Sequence, residues 1–105
     1  MKNWRRYEVL LPLRFNNGKP VPKALLAKTV QELEHHFSAV SCETQIIQGR
    51  WQNRDVVFRD DLIRIYVDVQ RTAGVDRFFL RFKARLKTRF RQLDIWMTSH
   101  AIDVI

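Results

Sequence analysis

Apolar residues occupy every second position in several stretches of the chain, and this alternation predicts strands with one buried face. It begins at Tyr7 and continues to Phe15, and it is clearest in residues 62–69, LIRIYVDV. A last alternating stretch starts at Ile95 and reaches the C-terminus, whereas residues 42–51, CETQIIQGRW, are strand-like but irregular. The pattern therefore predicts four strands, of which the third should be central.

Two further stretches have apolar residues three and four positions apart, which is the spacing of an amphipathic helix. The first follows a turn at residues 16–18, Asn-Asn-Gly; it should begin near Pro22, because proline fits the first helical turn, and end near Ser38. The second should begin after Thr72, a good N-cap residue, and end at about residue 90 or 91. Its apolar stripe consists of Val75, Phe78, Phe79, Phe82, Leu86 and Phe90. The polar residues 52–61 are predicted to form a loop.

The elements follow one another in the order βαββαβ within 105 residues, a length that suits one domain. With right-handed crossovers, this order predicts an α+β protein of the ferredoxin-like type, in which a four-stranded antiparallel sheet carries two helices on one face. We expect a single domain over residues 1–105, with the first and third strands in the middle of the sheet. The side chains expected to face the helices are Tyr7, Val9, Leu11, Ile63, Ile65, Val67, Ile95 and Met97.

The other face of the predicted sheet has no helix to cover it. It should carry aromatic and aliphatic residues beside Glu8, Arg64 and Asp68, and an apolar patch of this kind is rarely left bare. The common single-strand RNA-binding version of this fold stacks bases on aromatic residues of its central strands, but its Gly- and aromatic-rich motif is missing here. We therefore predict a homodimer that buries this face. The predicted interface residues are Leu10, Tyr66, Trp96, Ile102 and Val104.

The positive charge of the chain is concentrated in the second helix. The formal net charge is +8, and residues 77–91 hold seven basic residues and no acid. The simplest interpretation is a solvated helix face. However, like charges four residues apart destabilise a helix by about 0.2–0.5 kcal/mol per pair, so an anionic partner would relieve them. An acidic protein is our first hypothesis and nucleic acid the alternative. The residues predicted to bind are Arg77, Arg81, Lys83, Lys87 and Arg91.

Three segments carry a family resemblance: RDDLIRIYVDV at residues 59–69, the pair of phenylalanines at 78–79, and RFRQLDIWMT at residues 89–98. In these segments the chain resembles a group of small bacterial proteins of about this length. The resemblance covers most of residues 5–105 and implies a ferredoxin-like fold and a bacterial source. No activity is assigned to that group, so the resemblance implies none for this chain.

Residues with catalytic or metal-binding chemistry are few. Cys42 is the single cysteine, so it can form no intrachain disulfide, and we expect it to be buried or half-buried. His35 and His36 are adjacent on the first helix and point about 100° apart, whereas shared metal ligation on a helix needs a spacing of four. We predict neither a metal nor a cofactor.

Two further possibilities concern the remaining polar residues. Asp55, Asp60 and Asp61 could gather around a cation, but solvation or pairing with neighbouring arginines is simpler. A small enzyme is a third hypothesis, which would require His100 to meet Asp68 or Cys42 in a pocket or dimer cleft.

No uncharged apolar stretch approaches the roughly 18 residues that a membrane span needs. The N-terminal residues MKNWRR lead directly into a strand pattern, without the apolar segment of a signal peptide. We therefore expect a cytoplasmic protein without a membrane partner.

Overall fold

The computed structural model describes residues 3–105, which form four strands and two helices. In chain order the elements are β1 (Trp4–Pro12), α1 (Lys23–Phe37), β2 (Ser41–Asn53), β3 (Val56–Gln70), α2 (Ala73–Arg89) and β4 (Met97–Ile102). The strands form one antiparallel sheet in the order β2-β3-β1-β4. The predicted ferredoxin-like arrangement is confirmed, and β1 and β3 are the central strands.

The core lies between the helices and one face of the sheet, and it contains the side chains that the alternation assigned to it. On β1 and β3, Tyr7, Val9, Leu11, Ile65 and Val67 are buried. The other predicted core residues are Ile95, which is buried, and Ile63 and Met97, which pack against the buried cluster. The helices contribute Leu33, Phe79, Phe82, Leu86 and Phe90.

The start of α2 is fixed by the predicted cap. The backbone N–H of Val75 donates to the Thr72 hydroxyl at 3.1 Å. Asp76, in the first turn, accepts a hydrogen bond of 2.6 Å from the Tyr7 hydroxyl and thereby ties α2 to β1. Burial, together with this hydrogen bond, raises the pKa of Tyr7 to about 12. The Tyr7 ring also stacks on Phe79, with ring centroids 4.1 Å apart.

The prediction of a loop at residues 52–61 is wrong. β2 continues to Asn53 and β3 begins at Val56, so only Arg54 and Asp55 connect them. Arg54 has φ 57° and makes the tight turn that Asn or Gly would usually make. Because Pro12 of β1 pairs with Leu62, the hairpin extends beyond the sheet as a two-stranded ribbon. We call residues 47–62 the arm.

Some smaller expectations also need correction. Cys42 is exposed rather than buried, because it lies on the edge strand β2, where neither helix covers it. The last strand ends at Ile102 and does not reach the C-terminus. The first strand ends at Pro12, and beyond it Arg14 forms an isolated bridge to Pro20. Within residues 3–105, neither helix has the length and the apolar character needed to cross a membrane.

Candidate functional site

The middle of the open sheet face is covered by ion pairs. Arg6 on β1 stands opposite Asp68 on β3 and binds it through two nitrogens, at 2.7 and 2.9 Å. Next to this pair, Arg64 reaches Glu8 on β1 at 2.5 Å and also binds Glu43 on β2. The charges therefore form a row across three strands, in which each carboxylate has an arginine partner and Arg64 is shared by two of them.

Tyr66 lies between these ion pairs. The guanidinium carbon of Arg6 is 4.3 Å from the centre of its ring, and that of Arg64 is 4.8 Å away. Such cation–π contacts hold the two arginines over the ring and reduce its accessibility. The sequence assigned Tyr66 to an apolar patch, but in the structure its ring is part of a polar network.

One carboxylate, Glu8, and the two guanidinium groups of this network have shifted pKa values. The hydrogen bond from Arg64 lowers the pKa of Glu8 below its usual 4.5, although partial burial opposes the shift. The hydrogen bond from Glu8 raises the pKa of Arg64, and the one from Asp68 raises that of Arg6. Glu8, Arg64 and Arg6 are thus charged at neutral pH.

The five predicted dimer-interface residues all belong to the sheet or its C-terminal end, but they differ in exposure. Leu10, Tyr66, Ile102 and Val104 are half-buried, whereas Trp96 is 68% exposed. Trp96 lies beside β1, where its carbonyl oxygen accepts a hydrogen bond of 3.0 Å from the Leu10 N–H. The interface itself stays a prediction.

A larger apolar surface lies on the arm. The pairing of Gly49 with Asp60 and of Trp51 with Phe58 shows which side chains share a face, because alternate residues of a strand point the same way. One face carries Ile47, Trp51, Val56, Phe58 and Leu62, which we call the apolar face of the arm. It continues the open face of the sheet, since even-numbered residues of β3 lead from Leu62 to Arg64 and Tyr66.

The apolar face of the arm is preorganised. The Trp51 and Phe58 rings stack with their centroids 4.1 Å apart, and the indole N–H of Trp51 donates to Asp60 at 3.0 Å. Gly49 leaves room for Leu62, since a Cβ at that position would lie 3.0 Å from Leu62 Cδ1. The apolar side chains are nevertheless accessible: Val56 is 54% exposed and Trp51 48%.

The arm also has unpaired backbone edges. Its strands pair with each other, and the one bond that reaches β3 from beyond the end of β1 runs from the Leu13 N–H to the Asp61 carbonyl at 2.9 Å. From Val56 to Asp60, the edge of β3 that faces away from β2 has no partner strand among residues 3–105. Such an edge can accept a further strand.

The basic residues of α2 fall into two groups, of which the first is paired within the molecule. Lys83 binds Asp94 at 3.1 Å, and this contact lowers the pKa of the Asp94 carboxyl. Glu32 on α1 is shared by Arg85 at 3.6 Å and Arg89 at 3.3 Å. Arg89 is largely buried and also donates to the Thr29 hydroxyl at 3.0 Å. These three cations therefore have intramolecular partners.

The second group faces solvent without a carboxylate. In the described part of the chain, Arg77, Arg81 and Lys87 form no ion pair, and we call these three residues the basic face. Arg91 also forms none, but its guanidinium lies over the Phe15 ring at 4.9 Å. Three of the five predicted binding residues are thus available to an external anion without breaking a contact.

The remaining candidates are not brought together. His100 and Asp68 lie on opposite sides of β1, each paired in register with Arg6, which occupies the space between them. Asp60 is bound by Trp51. Residues 3–105 contain no group of three or more His, Cys, Asp or Glu side chains that could hold a metal ion. His36 stacks on Phe78 instead, with ring centroids 4.1 Å apart.

The fold and these surfaces define a ferredoxin-like α+β protein with an extended hairpin. No protein-family model and no curated protein matches the sequence. Among solved structures, the chain is similar to a phage SAM lyase in complex with S-methyl-5'-thioadenosine, with a TM-score of 0.71 and 9% identity over 93% of this chain and 81% of that one.

Two further similar structures are divalent cation tolerance proteins. The CutA1 protein of Thermus thermophilus matches with a TM-score of 0.64 and 12% identity over 94% of this chain and 84% of that one. CutA of Synechococcus elongatus matches with a TM-score of 0.62 and 9% identity over 97% of this chain and 79% of that one. Identities this low show a common fold and nothing about activity.

Proposed function

We propose that this protein is a non-catalytic module that associates with a second copy of itself through the open sheet face and binds an acidic partner through α2. The observation that carries the first part is the apolar face of the arm. Exposed apolar patches of this kind mark interaction surfaces in soluble proteins. The sequence predicts the interface on the open face at Leu10, Tyr66, Trp96, Ile102 and Val104, and the accessible apolar side chains extend this hypothesis to the arm.

A second copy is a suitable occupant for the arm on grounds of charge. The net charge of +8 is concentrated in residues 77–91, so two copies repel each other mainly through α2. The apolar face of the arm contains one ionisable residue, Asp60, which is bound by Trp51. The Asp60 carboxylate keeps this hydrogen bond when two such faces meet, and in a two-fold dimer each copy supplies the same patch. The open edge of β3 can add backbone hydrogen bonds.

The test of self-association compares two neighbouring valines. Val56 lies on the apolar face of the arm and is 54% exposed, whereas Val57 lies on the opposite face and is 57% exposed. Val56→Lys should therefore lower the molar mass measured by light scattering, and Val57→Lys, with the same change at equal exposure, should leave it close to that of the wild type. Circular dichroism checks that both variants fold.

Other outcomes of the same measurement are decisive. A wild type that is monomeric at all accessible concentrations contradicts self-association. A loss of mass in Trp96→Lys, but not in Val56→Lys, would place the interface next to β4 instead of on the arm.

The basic face supports the second part of the proposal. Three cations without intramolecular partners are few compared with the roughly six to ten phosphate contacts of many DNA-binding proteins. A short acidic segment of a protein fits this number better than a duplex. Nucleic acid is therefore the alternative outcome of the test.

The acidic-partner hypothesis is tested with polyglutamate and a mixed-sequence DNA duplex as probes. Arg81→Glu combined with Lys87→Glu should abolish binding of polyglutamate. The control variant combines Lys23→Glu with Lys28→Glu, which makes the same charge change at exposed positions of α1. This variant should retain most of the polyglutamate binding. Preference for the duplex, with a slope of about 0.9 per contact in log affinity against log salt, would favour nucleic acid. Equal losses in both double variants would show attraction by net charge alone.

A further inference from the structure

A shallow depression on α2 brings three arginines and a histidine together. Arg77, Arg81 and Arg85 lie four residues apart on one side of the helix, and His36 of α1 borders them. Phe78 forms part of the lining, and Gly74 adds no side chain at the end nearest the start of α2. The depression is distinct from the open sheet face and from Lys87, which is not among its lining residues.

The groups around this depression are partly fixed in position. The His36 ring stacks on Phe78, with an interplanar angle of 20°. Arg85 lies over the rings of Phe78 and Phe82, at 5.7 and 5.5 Å, and is held from the other side by Glu32. The side chains on two sides of the depression are therefore held in position before a ligand binds, which reduces the entropy lost on binding.

The charge balance of the depression favours a doubly charged anion. Arg77 and Arg81 have no carboxylate partner among residues 3–105, and Glu32, the one acid bound to a lining residue, is already shared by Arg85 and Arg89. Guanidinium groups present N–H donors in a planar fork that matches the oxygens of phosphate. An imidazole at the rim can donate a further hydrogen bond.

We propose that Arg77, Arg81, Arg85 and His36 form a binding site for a phosphate dianion. The proposal deepens the acidic-partner hypothesis, on which it rests, because it assigns a defined ligand to part of the basic face. The phosphate can belong to free inorganic phosphate or to a phosphorylated small molecule. The flat His36–Phe78 stack provides an aromatic surface next to the cations for an ester with a planar group.

The test uses amide chemical-shift titrations of the full chain at pH 8, at constant ionic strength. Inorganic phosphate and adenosine 5'-monophosphate are the two probes, with sodium chloride as the reference. Both probes should shift amides of residues 74–85 and of His36, and chloride should not. Tighter binding of the nucleotide would assign the ester as the ligand, and equal affinity would assign free phosphate.

Variants separate a defined site from a general charge effect. Arg77→Gln and Arg81→Gln should each weaken phosphate binding by about ten-fold, because each removes a charge-assisted hydrogen-bonding group. Lys28→Gln removes one charge from α1 and should bind phosphate as the wild type does. A Lys87→Gln effect as large as that of Arg81→Gln would overturn the defined site and leave the acidic-partner hypothesis standing. Equal responses to phosphate and chloride would overturn the site as well. Loss of polyglutamate binding in the double variant does not depend on either result.

Discussion

The open face of the sheet consists of two regions with opposite character. In the middle, Arg6 and Arg64 form ion pairs with carboxylates of three neighbouring strands and cover Tyr66. On the arm, Trp51 and Phe58 stack on each other but stay accessible. The first region has its bonding requirements met within one molecule, whereas the second leaves apolar surface and a strand edge without a partner. The arm end of the open face therefore carries accessible apolar surface that the middle lacks.

The two regions also differ in how much they contribute to the stability of the monomer. Ion pairs that are partly shielded from water stabilise the monomer when both partners are present, and their loss leaves a charge without compensation. Apolar side chains that remain exposed bury little area within the monomer, so they add little to its stability. Substitutions in the two regions should consequently affect different measurements.

The largest effect on the monomer is expected for Arg64→Met. The substitution keeps an apolar stem but leaves Glu8 and Glu43 without their shared cation. We expect the free energy of unfolding to fall by about 2 kcal/mol, between the values for exposed and for buried ion pairs. Urea unfolding at neutral pH measures this decrease in the free energy of unfolding.

The arm supplies the control for this substitution. Arg59→Met removes an exposed cation that forms no ion pair within the described chain, and it should change the free energy of unfolding by less than about 0.5 kcal/mol. Equal effects of the two substitutions would remove the distinction between the regions.

A smaller effect is expected for the aromatic pair of the arm. A double-mutant cycle of Trp51→Ala and Phe58→Ala should give a coupling free energy of about 1 kcal/mol, as expected for stacked rings. It is measured by urea unfolding at a concentration where light scattering shows monomers. If the coupling grows with protein concentration, the pair acts across an interface between copies. A coupling near zero would mean that the stack does not persist in solution.

The periodic parts of the fold follow directly from the sequence. Because one face of β1 is buried, Tyr7, Val9 and Leu11 occupy alternate positions. Because one face of α2 packs against the sheet, Phe78, Phe82 and Leu86 recur at helical spacing. The sequence pattern therefore shows which side chains pack in the core. These patterns are sufficient to predict the element order and the central strands. They also predict which side chains form the core.

The arm could not be predicted in this way. Both faces of a two-stranded ribbon meet solvent, so burial does not impose a strict alternation: Gly49 and Asp60 interrupt the apolar face, and Val57 lies on the other face. Its turn places Arg54 at positive φ, without the Asn or Gly that usually marks such a position. The available signal was the matching of Trp51 with Phe58 on either side of Arg54 and Asp55, which only cross-strand pairing makes meaningful.

The pairing of charges on α2 was also out of reach of the sequence pattern. Residues 77–91 hold seven basic residues and no acid, but Glu32 and Asp94 lie elsewhere in the chain. Tertiary contact brings these carboxylates to Lys83, Arg85 and Arg89. The sequence therefore overestimated how many cations are left for a partner.

The smallest effect tests the middle of the open face through pH. The hydrogen bond from Arg64 lowers the pKa of Glu8 below 4.5, so the charged form is favoured in the folded protein. Its stabilising contribution is complete above the pKa of the unfolded chain and is lost as the pH falls through the lower folded value. In Arg64→Met this contribution is absent at every pH. The difference in unfolding free energy between wild type and Arg64→Met should thus narrow on acidification below about pH 4.5, by about 0.5 kcal/mol for a pair that solvent still screens.

Subtraction isolates the contribution of the two acids that Arg64 binds, Glu8 and Glu43, from those of acids that it does not bind. Asp76 and Asp94 also have lowered pKa values, but both proteins contain them, so their effect cancels in the difference. Urea unfolding between pH 6 and 3 gives the comparison. A difference that stays constant over this range would show that Glu8 does not depend on Arg64 for its charge. It would contradict the description of the middle of the open face as a set of carboxylates stabilised by arginines of the same molecule.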